Sequence, residues 1–229
     1  TYRETVDLLW FPTGGGKTEA YLGLVAFIVA YRRLRGKNGA NFTDQSFGTA
    51  VLMRYTLRLL TVQQFQRAAA LMCGCEKLRR SNKSKWGSIP FQVGLWVGTS
   101  VSPNKRKKAK KIKNDLIFKS RTKDLTKITG SNPYVLINCP WCGKKLNPSN
   151  GDEWGTPKQW RLFCGRTNCM FSKKDDHRDR SIPVVITDDD VYARCPSLII
   201  ATADKFAQIS WRDDVKAIFG KVDRFCEIC

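Results

Sequence analysis

The spacing of apolar residues along the chain predicts strands that alternate with helices. Four short apolar runs have the length of buried strands: Leu8–Phe11, Ala50–Tyr55, Phe91–Val97 and Leu198–Ala201. Longer segments with helical periodicity or strong helix formers lie between them: Thr18–Arg35, Arg58–Arg80 and Asn104–Lys119. Asp204–Ile209 starts another helix after the last strand. Because strands separated by helices pair in parallel, we expect an α/β fold with a doubly wound parallel sheet flanked by helices.

The stretch from 138 to 180 breaks this alternation, since it contains four cysteines, several glycines and few long apolar runs. We interpret residues 131–180 as an inserted module, and residues 1–130 and 181–229 as the two parts of the surrounding domain. The acidic run Asp188–Asp190 precedes the last predicted strand, and we interpret it as solvated charge in a loop.

The charge balance narrows the class of partner. Lys and Arg number 40 against 20 Asp and Glu, a formal net charge of +20, which favours a polyanion, and nucleic acid before membrane. No run of about 18 apolar residues predicts a membrane span, and the first residues lack the order of a secretory signal. The nine cysteines are therefore expected in a reducing cytoplasm rather than in disulfides.

Residues 11–18, Phe-Pro-Thr-Gly-Gly-Gly-Lys-Thr, follow the first predicted strand and open the first helix. Apart from Phe11, which replaces the first glycine, they fit the phosphate-binding loop pattern. Backbone N–H groups of such a loop and the helix dipole bind phosphate oxygens. We therefore expect ATP to be bound by a contiguous set that starts before the helix: Thr13, Gly14, Gly15, Gly16, Lys17 and Thr18. The alternative, a glycine turn with a solvated lysine, does not explain the strand–loop–helix order.

The form Pro-Thr-Gly-x-Gly-Lys-Thr resembles motif I of superfamily 2 helicases and translocases. The resemblance implies a RecA-like P-loop NTPase lobe, lobe 1 of a motor, in which Lys17 contacts the β- and γ-phosphates and Thr18 binds Mg²⁺ as the catalytic residues. The acidic motif II and the second lobe of that superfamily have no counterpart in the chain, so we expect a fragment of a longer protein.

Two further segments resemble motifs Ia and Ib of the same superfamily. Thr56–Gln64 follows the second predicted strand, and Leu198–Phe206 contains an Ala-Thr pair followed by Ala-Asp instead of Pro-Gly. The resemblance implies nucleic-acid backbone contacts by Thr56, Arg58, Gln63 and Thr202, contacts that carry no sequence information. The alternative is that both segments are ordinary helix starts with polar caps.

Four blocks of the sequence also resemble the helicase subunit of the DISARM anti-phage defence system: residues 9–22, 53–68, 94–104 and 201–207. This narrower resemblance implies a bacterial phage-defence protein with DNA and other subunits of the system as partners.

The cysteines of the predicted insert have metal-ligand spacing. Cys139 and Cys142 form Cys-Pro-Trp-Cys-Gly, and Cys164 and Cys169 follow as Cys-x₄-Cys. Four thiolates suit tetrahedral Zn²⁺ and leave no open position, which indicates a structural zinc-ribbon site. Three alternatives are a redox pair, free core cysteines, or His177 in place of Cys169; Cys226 and Cys229 resemble half of a second site.

Residues Lys105–Lys113 include seven basic residues in nine. On a helix they form either a surface that docks a phosphate backbone or a solvated face without a dedicated partner.

Taken together, these patterns predict an ATP-dependent nucleic-acid helicase or translocase fragment, with DNA preferred, and with ATP, Mg²⁺ and Zn²⁺ as cofactors. Two alternatives stay open: a zinc-ribbon nucleic-acid-binding module whose P-loop only senses nucleotide, and a duplex DNA translocase without strand separation.

Overall fold

A computed structural model of the chain describes residues 16–35, 48–56, 58–122, 135–173, 180–207, 209–211 and 213–219, without the side chains of 58–60, 119–122 and 210. Its helices and strands, in chain order, are α1 Lys17–Arg35, β1 Val51–Tyr55, α2 Arg58–Ser81, α3 Lys83–Trp86, β2 Val93–Trp96, α4 Arg106–Thr122, β3 Gly151–Trp154, β4 Gln159–Leu162, β5 Val184–Val185, α5 Asp188–Arg194, β6 Leu198–Thr202 and α6 Ala203–Ala207. Short 3₁₀ segments cover Pro148–Asn150, Ile209–Trp211 and Asp213–Phe219.

Four of the strands form one parallel sheet in the order β1-β6-β2-β5. Val51 of β1 pairs with Leu198 of β6, and Val93 of β2 pairs with the same leucine from the other side. Strand β6 therefore has a neighbour on each side, although it is the last of the described strands in sequence. The prediction of an α/β fold with a parallel sheet flanked by helices is confirmed.

Side chains alternate between the two faces of the sheet, as the pleat requires. Val93 and Leu95 of β2 pack with α1, α2 and the cysteine-containing segment, whereas Trp96 packs on the other face with α5 and the segment Asp213–Phe219. All five residues of β6 are buried. The sheet is therefore the middle of three layers, with helices packed on both of its faces. Strand β6 is a nearly continuous apolar run, as expected for a strand that is buried on both faces.

Strands β3 and β4 form a separate antiparallel hairpin, with Gly151 opposite Leu162 and Trp154 opposite Gln159. Trp160 and Leu162 on β4 are buried in the same core cluster as Phe65 of α2. The hairpin therefore shares its core with the parallel sheet.

The predicted helices and strands that fall within the described residues agree with the observed ones to within a few residues. The structure adds short elements that the sequence does not predict: helix α3, the hairpin strands β3 and β4, the two-residue strand β5 and the 3₁₀ segments. The interpretation of Asp188–Asp190 as solvated loop charge is wrong, because these residues begin helix α5, and Asp188 and Asp190 are buried. The predicted strand Leu8–Phe11 lies outside the described residues.

Within the described ranges, no helix combines the length and the apolar character needed to cross a membrane.

Candidate metal centre and sheet edge

The first cysteine pair lies in a tight turn. The Cys139 carbonyl accepts from the Gly143 N–H at 2.9 Å, and the Cys139 N–H donates to the Lys144 carbonyl at 2.8 Å. Gly143 has φ 73°, a conformation that favours glycine. This turn folds the chain back after Cys142, so both thiols lie on the same side of the turn.

The second pair is held by a similar set of backbone bonds. The Cys164 N–H donates to the Phe171 carbonyl at 2.8 Å, and the Cys169 N–H donates to the Arg166 carbonyl at 3.0 Å. The Ser172 hydroxyl donates to the Cys169 carbonyl at 2.7 Å. These bonds close the Cys-x₄-Cys loop, so its looser spacing still brings both thiols to one point.

The four sulfur atoms of Cys139, Cys142, Cys164 and Cys169 all lie within 4.8 Å of one another, and the Cys142 and Cys164 Sγ atoms are 3.4 Å apart. A tetrahedral tetrathiolate with Zn–S bonds of about 2.3 Å has sulfurs about 3.8 Å apart, within this range. The donor set and its geometry fit a metal ion and are consistent with zinc.

The thiols of this cluster have unequal acidity. Burial raises the pKa of the Cys139 thiol, and burial together with the neighbouring thiols raises the pKa of Cys169 to about 11. Burial also acts to raise the pKa of Cys142, but the Lys144 N–H and the other three thiols outweigh it and leave that pKa below its usual value. A bound cation would stabilise all four thiolates.

Helix α2 covers this cluster. The Arg80 guanidinium lies 4.9 Å from the Phe171 ring centroid and donates to the Met170 carbonyl at 3.1 Å. Trp141 packs edge-on against Phe171, and Lys77 lies over the Trp141 ring at 5.5 Å. The buried thiol of Cys73 on α2 has a pKa raised by burial and by the nearby Cys139 and Cys169.

The predicted phosphate loop is described only at its end. Gly16 has φ 75°, helix α1 begins at Lys17, and the Ala20 N–H donates to the Gly16 carbonyl at 3.1 Å. Lys17 and Thr18 thus occupy the first turn of a 19-residue helix, where free N–H groups and the dipole favour an anion. Thr13, Gly14 and Gly15 lie outside the described residues.

The predicted motif Ia and Ib segments meet at one edge of the sheet. Tyr55 at the end of β1 pairs with Thr202 at the end of β6, because the two strands are parallel neighbours. The first turns of α1 are close by, since Glu19 forms an ion pair with Arg67 of α2. Burial raises the pKa of Tyr55, and the nearby Tyr21 raises it further. Parallel α/β sheets bind ligands at this carboxyl edge.

The four predicted nucleic-acid contacts differ in exposure. Thr56 and Gln63 are exposed. Thr202 is 1% exposed, and its hydroxyl has no hydrogen-bond partner among the described residues. The side chain of Arg58, at the start of α2, lies outside the described side chains.

Beside Thr202 the edge carries a buried ion pair that sequence reasoning missed. Lys205 of α6 donates to Asp188 of α5 at 2.7 Å, and both side chains are at most 6% exposed. Asp190 accepts from the Thr187 hydroxyl at 2.7 Å and from the Trp160 N–H at 2.9 Å, while its burial raises its pKa. The capping-box pattern Thr187-x-x-Asp190 was a sequence signal for this helix start.

Two cysteines outside the cluster lie in other parts of the fold. Cys195 is buried at the end of α5, and Cys75 is half-buried on α2. His177, Cys226 and Cys229 lie outside the described residues.

The fold and the cysteine cluster define an α/β protein with a parallel sheet and a four-cysteine group that could hold a metal ion. No protein-family model matches the chain. The chain is 40% identical, over 99% of its length, to the DISARM protein DrmA of Bacillus paralicheniformis. The aligned region is 20% of that protein, so the chain spans about a fifth of its relative's length. The DISARM resemblance drawn from four blocks is confirmed and extends over nearly the whole chain.

Proposed function

We propose that the chain is the nucleotide-binding part of an ATP-dependent nucleic-acid motor, a RecA-like lobe 1 spanning residues 1–130 and 181–229. The observation that carries the proposal is that three predicted segments converge. Helix α1, which begins at the motif lysine Lys17, approaches the end of β1 through Tyr21, and β1 ends beside β6.

In this proposal the loop Thr13–Thr18 binds the phosphates of ATP. Lys17 contacts the β- and γ-phosphates, and Thr18 in the same first turn directs its hydroxyl to Mg²⁺. The α1 dipole adds a favourable field for the negative charge. Hydrolysis of ATP supplies the free energy of the motor.

The nucleic-acid strand lies on the adjacent part of the same edge. The exposed Thr56 and Gln63, together with Arg58, contact its sugar-phosphate backbone, which positions the strand without reading its sequence. Thr202, which is buried at the end of β6 with an unpartnered hydroxyl, stays a predicted contact of the same nucleic-acid strand. We take DNA as the nucleic acid, as the resemblance to the helicase subunit of the DISARM system implies.

The four cysteines hold one structural Zn²⁺ in the inserted module 131–180. All four positions of a tetrahedral site are filled by thiolates, which leaves no position for catalysis. The module packs on α2, the helix that begins with the nucleic-acid contacts, so it stabilises the far end of that helix.

The relative's name supports a role in DISARM phage defence. We extend that role to this protein, with the other subunits of the system as partners and the bacterial cytoplasm as its location.

ATP hydrolysis by the full-length protein tests the proposal, with Lys17→Ala as the variant and Lys83→Ala, an exposed lysine of α3, as the control. We expect Lys17→Ala to lower the hydrolysis rate about 10²-fold or more, because the variant lacks a charge that stabilises the transition state. Lys83→Ala should match the parent. Nucleotide binding without any hydrolysis in the parent would instead support a nucleotide-sensing zinc module.

A further inference from the structure

The two faces of the basic helix α4 differ in their contacts with the rest of the protein. On one face Lys110 forms an ion pair with Glu153 at 2.7 Å, and Lys113 forms one with Asp152 at 3.3 Å. Both acids belong to strand β3 of the hairpin. The Arg106 guanidinium on the same face lies 3.9 Å from carboxylate oxygens of Asp189 and Asp190 on α5. These contacts attach α4 to the hairpin and to α5, so these cations already have protein partners.

The other face of α4 presents three lysines to solvent. Lys107, Lys108 and Lys111 are exposed, and none forms an ion pair with a carboxylate of the described residues. At about 100° per residue, Lys107 and Lys111 lie about 40° apart around the helix axis and one turn apart along it. Lys108 flanks them. Asp115, one turn beyond Lys111, is the acid of this face and is also exposed.

Burial fixes the orientation of the helix. Ala109 is fully buried, and it lies on the side of the helix opposite Lys107 and Lys111. Since Ala109 and the ion-paired residues fix α4 against the protein, the backbone that carries the three lysines is held in place with these residues on its solvent side. Ions from solution balance the charge of such a row, and they are released when phosphates bind.

We propose that this lysine face, Lys107, Lys108 and Lys111, binds the phosphate backbone of nucleic acid outside the sheet edge. The inference rests on the nucleic-acid part of the proposed function and adds a second contact surface to it. Charge complementarity carries it: a protein of net charge +20 presents three exposed lysines on the solvent side of one helix, while nearby acids on β3 are already paired with other lysines.

The test is a salt titration of binding to a DNA oligonucleotide, single-stranded and duplex, using the full chain. The variant is Lys107→Glu with Lys111→Glu. The matched control is Lys83→Glu with Lys85→Glu, which makes the same charge change on exposed lysines of helix α3. Poly-glutamate serves as an acidic protein-like probe.

For the α4 variant we expect about a tenfold or greater loss of affinity at low salt. The slope of log K against log salt should also become shallower by about 0.9 for each duplex phosphate that the variant no longer neutralises. The control should keep the slope of the parent. Circular dichroism of both variants checks that the fold is retained.

Four results would overturn the inference. If the α4 variant keeps the slope and affinity of the parent, or if both double variants change equally, the face is only solvated charge, and the proposed function stands. If poly-glutamate binds as tightly as DNA with the same dependence on α4, the face belongs to an acidic protein partner. If the parent chain binds no DNA at low salt, both this inference and the nucleic-acid part of the proposed function fail.

Discussion

Gly94 on β2 is the position where one added carbon has the largest steric effect among the described glycines. A Cβ there would lie 2.6 Å from Pro196 Cγ and 3.4 Å from Val191 Cγ2. The proline belongs to the turn between α5 and β6, so glycine allows this turn to approach the sheet closely. The hydrophobic pattern does not reveal this, because the residues that meet here are about a hundred positions apart.

We expect Gly94→Ala to destabilise the protein by about 1–3 kcal/mol, the usual cost of overpacking. Gly23→Ala is the matched control. Gly23 is exposed within α1 with nothing within 4 Å of its added Cβ, so alanine there should stabilise the helix by up to about 1 kcal/mol. Urea unfolding of both variants measures the difference, and equal free energies of unfolding would show that the turn does not constrain β2.

Cys142 is the most exposed of the four clustered cysteines and the one with a lowered pKa, with burial opposed by the Lys144 N–H and the other thiols. We expect Cys142→Ser to lose the bound zinc, of which the parent should hold about one atom per chain. Cys195→Ser is the control, since that thiol is buried elsewhere and donates to the Tyr192 and Ala217 carbonyls. Metal analysis of the purified proteins measures the zinc content of each. A zinc content unchanged by Cys142→Ser would contradict the tetrathiolate site.

At the scale of elements, helix α2 connects the sheet edge to the cysteine cluster. Near its C-terminal end lies Glu76, which is 1% exposed. It accepts two bonds from Arg79, at 2.6 and 2.8 Å, and one from the Phe91 N–H at 2.6 Å. Arg80, 3.3 Å from the same carboxylate, also contacts the cysteine segment. One buried carboxylate thus holds α2, the start of β2 and the metal-binding segment together.

Removing this carboxylate should be costly, because Arg79 would be left as a buried charge. We expect Glu76→Ala to lower the free energy of unfolding by about 3–5 kcal/mol. Leu78 lies two residues away and is 59% exposed. Leu78→Ala should therefore change the free energy of unfolding by no more than about 0.5 kcal/mol. Thermal unfolding compares the two variants, and similar stabilities would show that the Glu76 network does not contribute.

Elements with a long periodic pattern could be predicted from the sequence, and short or buried-polar ones could not. The bounds of helix α2 match the extent of its apolar face in the sequence, and the bounds of β6 match its unbroken apolar run. Strand β5 has only two residues, too few for a period. The interpretation of Asp188–Asp190 as solvated charge failed because a carboxylate can be buried when a cation is buried with it. The partner of Asp188 is Lys205, which is 17 positions away and therefore not evident from the local sequence.

At the scale of the whole molecule, local motifs were predictable and their meeting points were not. The cysteine spacing identified all four ligands of the candidate metal site, because thiol pairs of this kind act over short sequence distances. The approach of β1 to β6 depends on strand order, which joins residues more than 140 positions apart. Motif resemblance indicated a nucleic-acid contact by Thr202, but only the fold shows that its side chain is buried.

The central claim is that one part of this chain binds ATP, that another binds nucleic acid, and that the two are coupled at the sheet edge. DNA-stimulated ATP hydrolysis by the full-length protein tests it most directly, with the parent, Lys17→Ala and Gln63→Ala compared over a range of DNA concentrations. We predict that DNA accelerates the parent. Lys17→Ala should stay about 10²-fold or more below the parent at every DNA concentration. Gln63→Ala should need more DNA for half-maximal stimulation, because the alanine side chain cannot bond to the DNA backbone. Hydrolysis that is independent of DNA in the parent, or that Lys17→Ala keeps at the rate of the parent, would contradict the account.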